Sequence, residues 1–172
     1  MPKKNKSGKR AVKVLDSPNG KGVYAQKAIK KDAVIGKVQG IITTDDEIDP
    51  RYLMELDNDK LLIPKGTYRY LNHSCNPNCE LFCWEDEELD PETDTRPLYV
   101  SALKSIAKGK QLTIDYSWPA DFAIECNCKS KKCRGWIVDK GELKKLKKML
   151  KDKKAKESKK SKKKNKKNKK NK

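Results

Sequence analysis

Asn72-His73-Ser74-Cys75-Asn76-Pro77-Asn78-Cys79 follows Tyr68-Arg69-Tyr70-Leu71 and carries the only histidine of the chain. Apolar and aromatic residues give way there to Asn, Ser and Pro. The pattern reads as a strand over Tyr68–Leu71 that runs into a tight, hydrogen-bonded loop. A lone histidine in such a loop is most often structural. Cys75 lies two positions on and faces the same way as His73 in an extended chain, so a Cys–His nucleophilic pair is the functional alternative. Residue types alone take the stretch no further.

Downstream, Cys126-Asn127-Cys128-Lys129-Ser130-Lys131-Lys132-Cys133-Arg134-Gly135 places three cysteines in a C-x-C-x4-C pattern. Three thiolates this close suit tetrahedral Zn2+, which takes its fourth ligand from elsewhere. Lys129, Lys131, Lys132 and Arg134 favour the thiolate form that a metal needs. The other three cysteines, Cys75, Cys79 and Cys83, are each able to complete the set. Spacing alone also admits a purely structural zinc module, or three thiols with no metal.

Charge is spread unevenly over the 172 residues, a length that suits one domain. From Lys140 to Lys172 stand 19 lysines against Glu142, Asp152 and Glu157, and the first thirteen residues hold six basic groups and no acid. The net charge of +18 therefore resides in the two ends, and residues 14–139 carry a net −4. This is an acidic domain between basic flanks, not a basic nucleic-acid-binding fold. Glu85–Asp94 holds seven acids with Pro91 among them, a solvated loop also able to steer a basic ligand.

No apolar run approaches the roughly 20 residues of a membrane span, and Met1–Lys13 lacks the apolar stretch of a secretory leader. With six cysteines, the expectation is a reducing, intracellular setting without membrane partners. That means nucleus or chromosome in a eukaryote, and cytoplasm or nucleoid in a prokaryote.

The acidic domain reads as mostly β. Val12–Leu15 and Gly22–Ala25 bracket the turn Ser17-Pro18-Asn19-Gly20, and Val34–Val38, Ile41-Ile42 and Leu61–Ile63 follow as short extended runs. Leu98–Leu103 and Gln111–Tyr116 flank the turn at Ala107-Lys108-Gly109. Asp46–Leu56 leaves room for a short helix around Pro50. Further on, Leu143, Leu146 and Leu150 share one helical face with Met149 beside it, so residues 139–152 suit an amphipathic helix packed on the domain, the alternative being a lysine-rich helix that frays in solution. Residues 153–172 are almost all Lys, Asn and Ser. They cannot bury enough surface to offset ordering entropy, and disorder is expected there and in the arm 1–10. The tail is suited to non-specific binding of nucleic-acid phosphates.

Taken together the motifs resemble the SET-domain family of protein lysine methyltransferases. Asn72–Cys79 matches its N-H-S-C-x-P-N-C motif, and Gly20-Lys21-Gly22-Val23-Tyr24-Ala25 its G-x-G-V-x-A element. Gly109-Lys110-Gln111-Leu112-Thr113-Ile114-Asp115-Tyr116 looks like its G-E-E-L-T-x-D-Y strand, and Cys126–Gly135 with Trp136 like its post-SET segment. The four motifs appear in the family's order over about residues 11–138. They assign a SET domain to 11–121 and a zinc-bound post-SET segment to 122–138, with no pre-SET cysteine cluster.

The resemblance implies a knotted arrangement of small β-sheets in which S-adenosylmethionine and a substrate lysine enter from opposite faces. Gly20, Lys21, Gly22, Tyr24, Arg69, Asn72, His73, Tyr116 and Trp136 match positions along the cofactor, and glycine there lets the backbone approach a ligand closely. Tyr116 matches the catalytic tyrosine. Cys75 matches the fourth zinc ligand beside Cys126, Cys128 and Cys133, which leaves Cys79 and Cys83 as ordinary thiols. Leu81 and Ile114 are the candidates near the channel for setting product degree. Both are aliphatic and favour di- or trimethylation.

A basic protein, a histone or histone-like tail, is the expected substrate of the acidic domain. A ribosomal protein is an alternative target. The rival reading is a non-catalytic chromatin- or DNA-binding protein that keeps the fold for structure alone.

Overall fold

A computed structural model describes residues 11–168 apart from 46, 50 and 52. The basic arm 1–10 and residues 169–172 lie outside the described residues. Twelve short strands and one long helix follow in order: β1 (Val12–Ser17), β2 (Gly20–Ala25), β3 (Val34–Lys37), β4 (Gln39–Thr43), β5 (Met54–Glu55), β6 (Leu61–Lys65), β7 (Asn72–His73), β8 (Cys79–Phe82), β9 (Tyr99–Ala102), β10 (Gln111–Ile114), β11 (Ile124–Glu125), β12 (Trp136–Ile137) and α1 (Leu143–Asn168). They make three small sheets, β1-β2-β10-β7, β3-β9-β8 and β4-β6-β5, and the isolated pair β11-β12.

Sheets this small do not stand alone in water. They are stable here because their inner faces share one core, in which Val23, Val100, Leu112 and Cys79 are wholly buried. The β1–β2 hairpin turns at Gly20, whose φ of 94° suits a residue without Cβ. β7 pairs parallel with β10, Asn72 opposite Thr113 and His73 opposite Ile114. Beyond the pair the backbone N–H of Ser74 donates to the Ile114 carbonyl (2.9 Å), and that of Asn78 to the Thr113 carbonyl (3.2 Å). The Asn78 side chain closes both sides of the seam, donating to the Gln111 carbonyl (2.8 Å) and accepting from the Thr113 N–H (2.8 Å). Residues 72–78 are thus stitched along β10.

Three local readings differ from the structure. Thr67–Tyr70 is a tight 3-10 turn and not a strand. Gly66, at φ 63°, turns the chain out of β6, and the coil carries it to β7 with the Leu71 N–H donating to the Tyr68 carbonyl (3.2 Å). Within Asp46–Leu56 the chain forms a strand, as Met54–Glu55 pairs with Leu61–Leu62; positions 46, 50 and 52 lie outside the described residues. The helix expected over 139–152 starts at Leu143 and continues well past Asp152 to Asn168, where disorder was the expectation. The 143–168 segment contains neither Gly nor Pro to break the helix, and Lys and Ala are good helix formers.

The start of α1 does bury a face. Leu146 packs with Ala120 and Val138 in a second, smaller core, edged by Leu143, Leu150, Ala123 and Trp136, while Met149 stays exposed. Among the described residues, no helix is long and apolar enough to cross a membrane.

Candidate active site

Tyr116 stands just beyond β10 and is gripped at two atoms. Its backbone N–H donates to His73 Nδ1 (3.2 Å), and its phenol donates to the Leu71 carbonyl (2.7 Å). Burial pushes its pKa up to about 12, so the phenol keeps its proton at any physiological pH. The ring lies 5.0 Å from that of Trp118 and 5.4 Å from that of His73.

His73 is buried, and burial pushes its pKa down to about 4 against the opposing pull of Asp115, leaving a neutral imidazole. A neutral ring whose Nδ1 accepts a backbone N–H carries its proton on Nε2. That N–H faces Cys75 Sγ at 3.3 Å. The 3.5 Å approach of Nδ1 to Asp115 is therefore not an ion pair.

Cys75 sits at the edge of a sulfur cluster. Its Sγ is 3.7 Å from Cys126 Sγ, and the donor atoms of His73, Cys75, Cys126 and Cys128 all lie within 4.8 Å of one another. Cys133, the fourth expected ligand, stands outside that set: its thiol donates to the Cys126 carbonyl (3.9 Å) and accepts the Gly135 N–H (3.4 Å) at the edge of the cluster. Two thiolates bound at about 2.3 Å to one tetrahedral zinc lie about 3.8 Å apart, so the Cys75–Cys126 separation fits that geometry. His73 is the poorer ligand, because its free nitrogen is taken by the Tyr116 N–H and its other nitrogen is protonated.

Burial raises the Cys75 and Cys126 thiols. At Cys128 burial is outweighed by N–H donation from the backbone of Cys75 and Ser130 and by the neighbouring thiols, which bring its pKa down to about 6. Among Cys75, Cys126 and Cys128 it is Cys128 whose surroundings favour the thiolate that a cation needs. Cys79, wholly buried in β8, and Cys83 stand outside the cluster.

An ion pair ties the cluster to the tyrosine. Arg134 Nη1 and Nη2 reach the two carboxylate oxygens of Asp115 at 2.8 and 2.7 Å, with the side chains only 8% and 16% exposed. Nη2 also donates to the Val138 carbonyl (3.0 Å), and the Arg134 backbone N–H points at Cys75 Sγ (3.4 Å). Burial opposes ionisation of Asp115, but the guanidinium prevails and holds its pKa below the usual carboxylate range.

Two cavities flank the Ile114–Ser117 segment. One, of about 240 Å3, is bounded by Asn19, Asn72, His73, Tyr116, Trp118, Ile124, Ile137 and the Cys126–Cys128 loop. The other, of about 360 Å3, is bounded by Leu81, Leu103, Ile114, Asp115, Ser117, Glu80 and Asp139. Asn72, His73 and Tyr116 therefore meet at one cavity.

The other expected cofactor residues lie at different removes from that cavity. Lys21 is joined to it through its carbonyl, which accepts from the Asn72 amide (2.9 Å). Gly20 shapes the hairpin turn, while a Cβ on Gly22 would collide with the side-chain amide of Gln111. Tyr24 donates to the Asp16 carbonyl (3.5 Å), and Arg69 lies over the Tyr70 ring at 5.4 Å. Trp136 packs in the second core, and its neighbour Ile137 lines the cavity in its place. Asn19, Trp118, Ile124 and Ile137 were missed by sequence reasoning. Only Trp118 carried a signal, an aromatic two positions beyond Tyr116.

Known proteins resemble this chain in sequence and in fold. The chain matches the SET domain over residues 20–117. It is 30% identical over 149 residues to the histone-lysine N-methyltransferase ASHR3 of Arabidopsis thaliana, covering 76% of this chain and 29% of that protein. It is 31% identical over 135 residues to the histone-lysine N-methyltransferase trr of Drosophila melanogaster, covering 69% of this chain and 5% of that one. The chain thus spans less than a third of the length of these relatives. The crystal structure of KRYPTONITE in complex with mCHG DNA and SAH superposes with a TM-score of 0.62 at 23% identity, over 74% of this chain and 29% of that one, which shows a common fold. With more than half of its residues matched, including the Asn72–Cys79 motif and Tyr116, this chain belongs to the SET-domain family.

Proposed function

We propose that the protein is an S-adenosylmethionine-dependent protein-lysine N-methyltransferase acting on a basic protein, a histone or histone-like tail. The observation that carries this is Tyr116, its phenol fixed on the Leu71 carbonyl beside one cavity and its flanking residues lining another. S-adenosylmethionine, when bound, supplies a methyl group on a sulfonium; the lining of the cavity beside Tyr116 suits it, with Trp118, Ile124 and Ile137 for an apolar ring and Asn72 for polar groups. The histone-lysine methyltransferase names of the relatives support the same reading.

The chemistry asks little of the chain beyond placement. Attack on the methyl needs a neutral amine, whereas free lysine has a pKa of about 10.4. An apolar channel and a neighbouring cation both disfavour the ammonium form, so no strong base is required. Tyr116, protonated and unable to swing, orients the amine and the methyl group. Such positioning supplies up to roughly 7–11 kcal/mol of barrier reduction. Leu81 and Ile114 border the second cavity and bring no hydroxyl to hold a blocking water, which favours di- or trimethylation.

Zn2+ is assigned to Cys75, Cys126, Cys128 and Cys133, with His73 donating to the Cys75 sulfur. Bound there, zinc would cross-link the 72–79 loop, through Cys75, to the C-terminal segment, through Cys126, Cys128 and Cys133. The acidic body draws in a basic substrate. The lysines of α1 suit nucleic-acid phosphates, a contact that weakens steeply with salt, and chromatin or a nucleoid is the setting that joins both partners.

Incubation of the zinc-loaded protein with labelled S-adenosylmethionine and core histones or ribosomal proteins tests the reading. Label on lysine of either protein supports it and chooses the target. Salt-sensitive DNA binding without cofactor binding or transfer sinks it in favour of the non-catalytic alternative.

A further inference from the structure

We infer that Arg134 is a positioning residue for Tyr116, through which the cysteine cluster sets the phenol; the inference rests on the methyltransferase reading above. Three contacts of one side chain and its backbone carry it. The Arg134 backbone N–H reaches Cys75 Sγ at 3.4 Å, Nη2 reaches the Val138 carbonyl at 3.0 Å, and the guanidinium fork takes both oxygens of Asp115. One residue thus touches the sulfur cluster, the second core and the residue before Tyr116.

Asp115 in turn shapes the backbone that presents Tyr116. Its Oδ1 accepts the Ser117 N–H at 3.3 Å, and Ser117 has φ 49°, a left-handed conformation that a residue with a Cβ seldom adopts. Tyr116 is therefore fixed from three directions: its N–H by His73, its phenol by the Leu71 carbonyl, and its onward turn by Asp115. The first two grips belong to the β-body. The third depends on Arg134, which is in place only when the Cys75–Cys133 neighbourhood is folded around it.

Mere stability is a weak explanation for the pair. Buried ion pairs are often replaceable by apolar groups without loss of stability, and this one leaves Arg134 Nε buried without a partner. What apolar groups cannot replace is the fixed geometry of two parallel N–H···O bonds. Lysine, a point charge on a flexible stem, cannot supply it either.

The test uses the full, zinc-loaded chain with Arg134→Lys, Arg134→Gln, Asp115→Asn and the Gln/Asn double substitution. Readouts are metal content, cofactor affinity, kcat and KM, and amide hydrogen exchange at Tyr116 and Ser117 against Val23 and Leu112. The expected result is a fall in kcat of about 10- to 100-fold at retained zinc and cofactor affinity. Arg134→Lys should be no better than Arg134→Gln, and the double substitution no worse than either single one. Exchange at Tyr116 and Ser117 should accelerate about 10-fold while Val23 and Leu112 hold. Unchanged kcat and exchange in the loaded variants, or a loss of kcat in step with lost zinc at unchanged Tyr116 exchange, overturns the inference. If the wild type transfers no methyl group the proposed function fails, and the exchange measurement still decides the role of Arg134.

Discussion

The β-body and the C-terminal cap are built on different physics. The body gathers three sheets on a core in which Val23, Val100 and Leu112 are wholly buried, and a buried apolar side chain of that size contributes about 1.5–3 kcal/mol. The cap, from Ala120 onward, buries among its described residues only Ala120, Val138 and Leu146, around a two-residue strand pair and the first turns of α1. A core that small does not hold a fold together, and small units of this kind rely on metals or cross-links. The cap accordingly carries Cys126, Cys128 and Cys133, is tied to the body by the Arg134–Asp115 pair, and holds the Lys145–Asp121 ion pair at 2.8 Å. The body is self-sufficient, and the cap is conditional on what ties it down.

Zinc removal should separate the two most sharply. Chelation, or Cys75→Ser, is expected to abolish methyl transfer and to expose the amides of residues 120–138 to exchange, while β1, β2 and β10 stay protected. Loss of protection throughout would show that the body depends on the metal as well. Tyr116→Phe comes next. It should lower kcat by about 100-fold and leave cofactor binding and zinc content unaltered, since it removes only the phenol oxygen.

Paired core truncations follow in size. Leu112→Ala should cost about 2–5 kcal/mol in global unfolding by denaturant, while Leu146→Ala should loosen α1 and the cap and leave the body's transition in place. Equal effects on one shared transition would erase the distinction between the regions.

The smallest effect concerns acid. Asp115 has a depressed pKa in the fold, so its pairing contributes stability above the unfolded value near 3.9 that is lost as pH falls through the folded value. Urea titrations over a pH series should show wild type more stable than Asp115→Asn near neutrality, the gap closing at the acid end. A gap independent of pH would mean that the charge contributes nothing.

Much of the body was legible from residue order. Runs of Val, Ile and Leu bounded by turn residues located β1, β2, β3, β4, β6, β9 and β10, and in β10 the buried Leu112 and Ile114 alternate with half-buried neighbours. β8 escaped because Cys79-Glu80-Leu81-Phe82 puts an acid beside a loop motif, and only pairing with β9 makes it a strand. Tyr68–Leu71 looked extended because aromatic residues favour strands, but the turn at Gly66 leaves a short span that the tighter coil fills. The site was legible as a set of motifs and not as a geometry. Nothing in the spacing of His73, Asp115 and Arg134 tells that Tyr116 leans on one and is tied to the others. Trp136 shows the same limit, since Ile137 and Trp118 reach the cavity while Trp136 packs at the edge of the cap core.

The central claim is that Tyr116 and its two flanking cavities make this chain a lysine methyltransferase. Mass spectrometry of a basic protein substrate, after incubation with S-adenosylmethionine and zinc-loaded wild type or Tyr116→Phe protein, addresses it most directly. Methylated lysine with the wild type, and little or none with Tyr116→Phe, is the predicted result. Unmodified lysine in both samples, with the cofactor left unbound, would contradict the account.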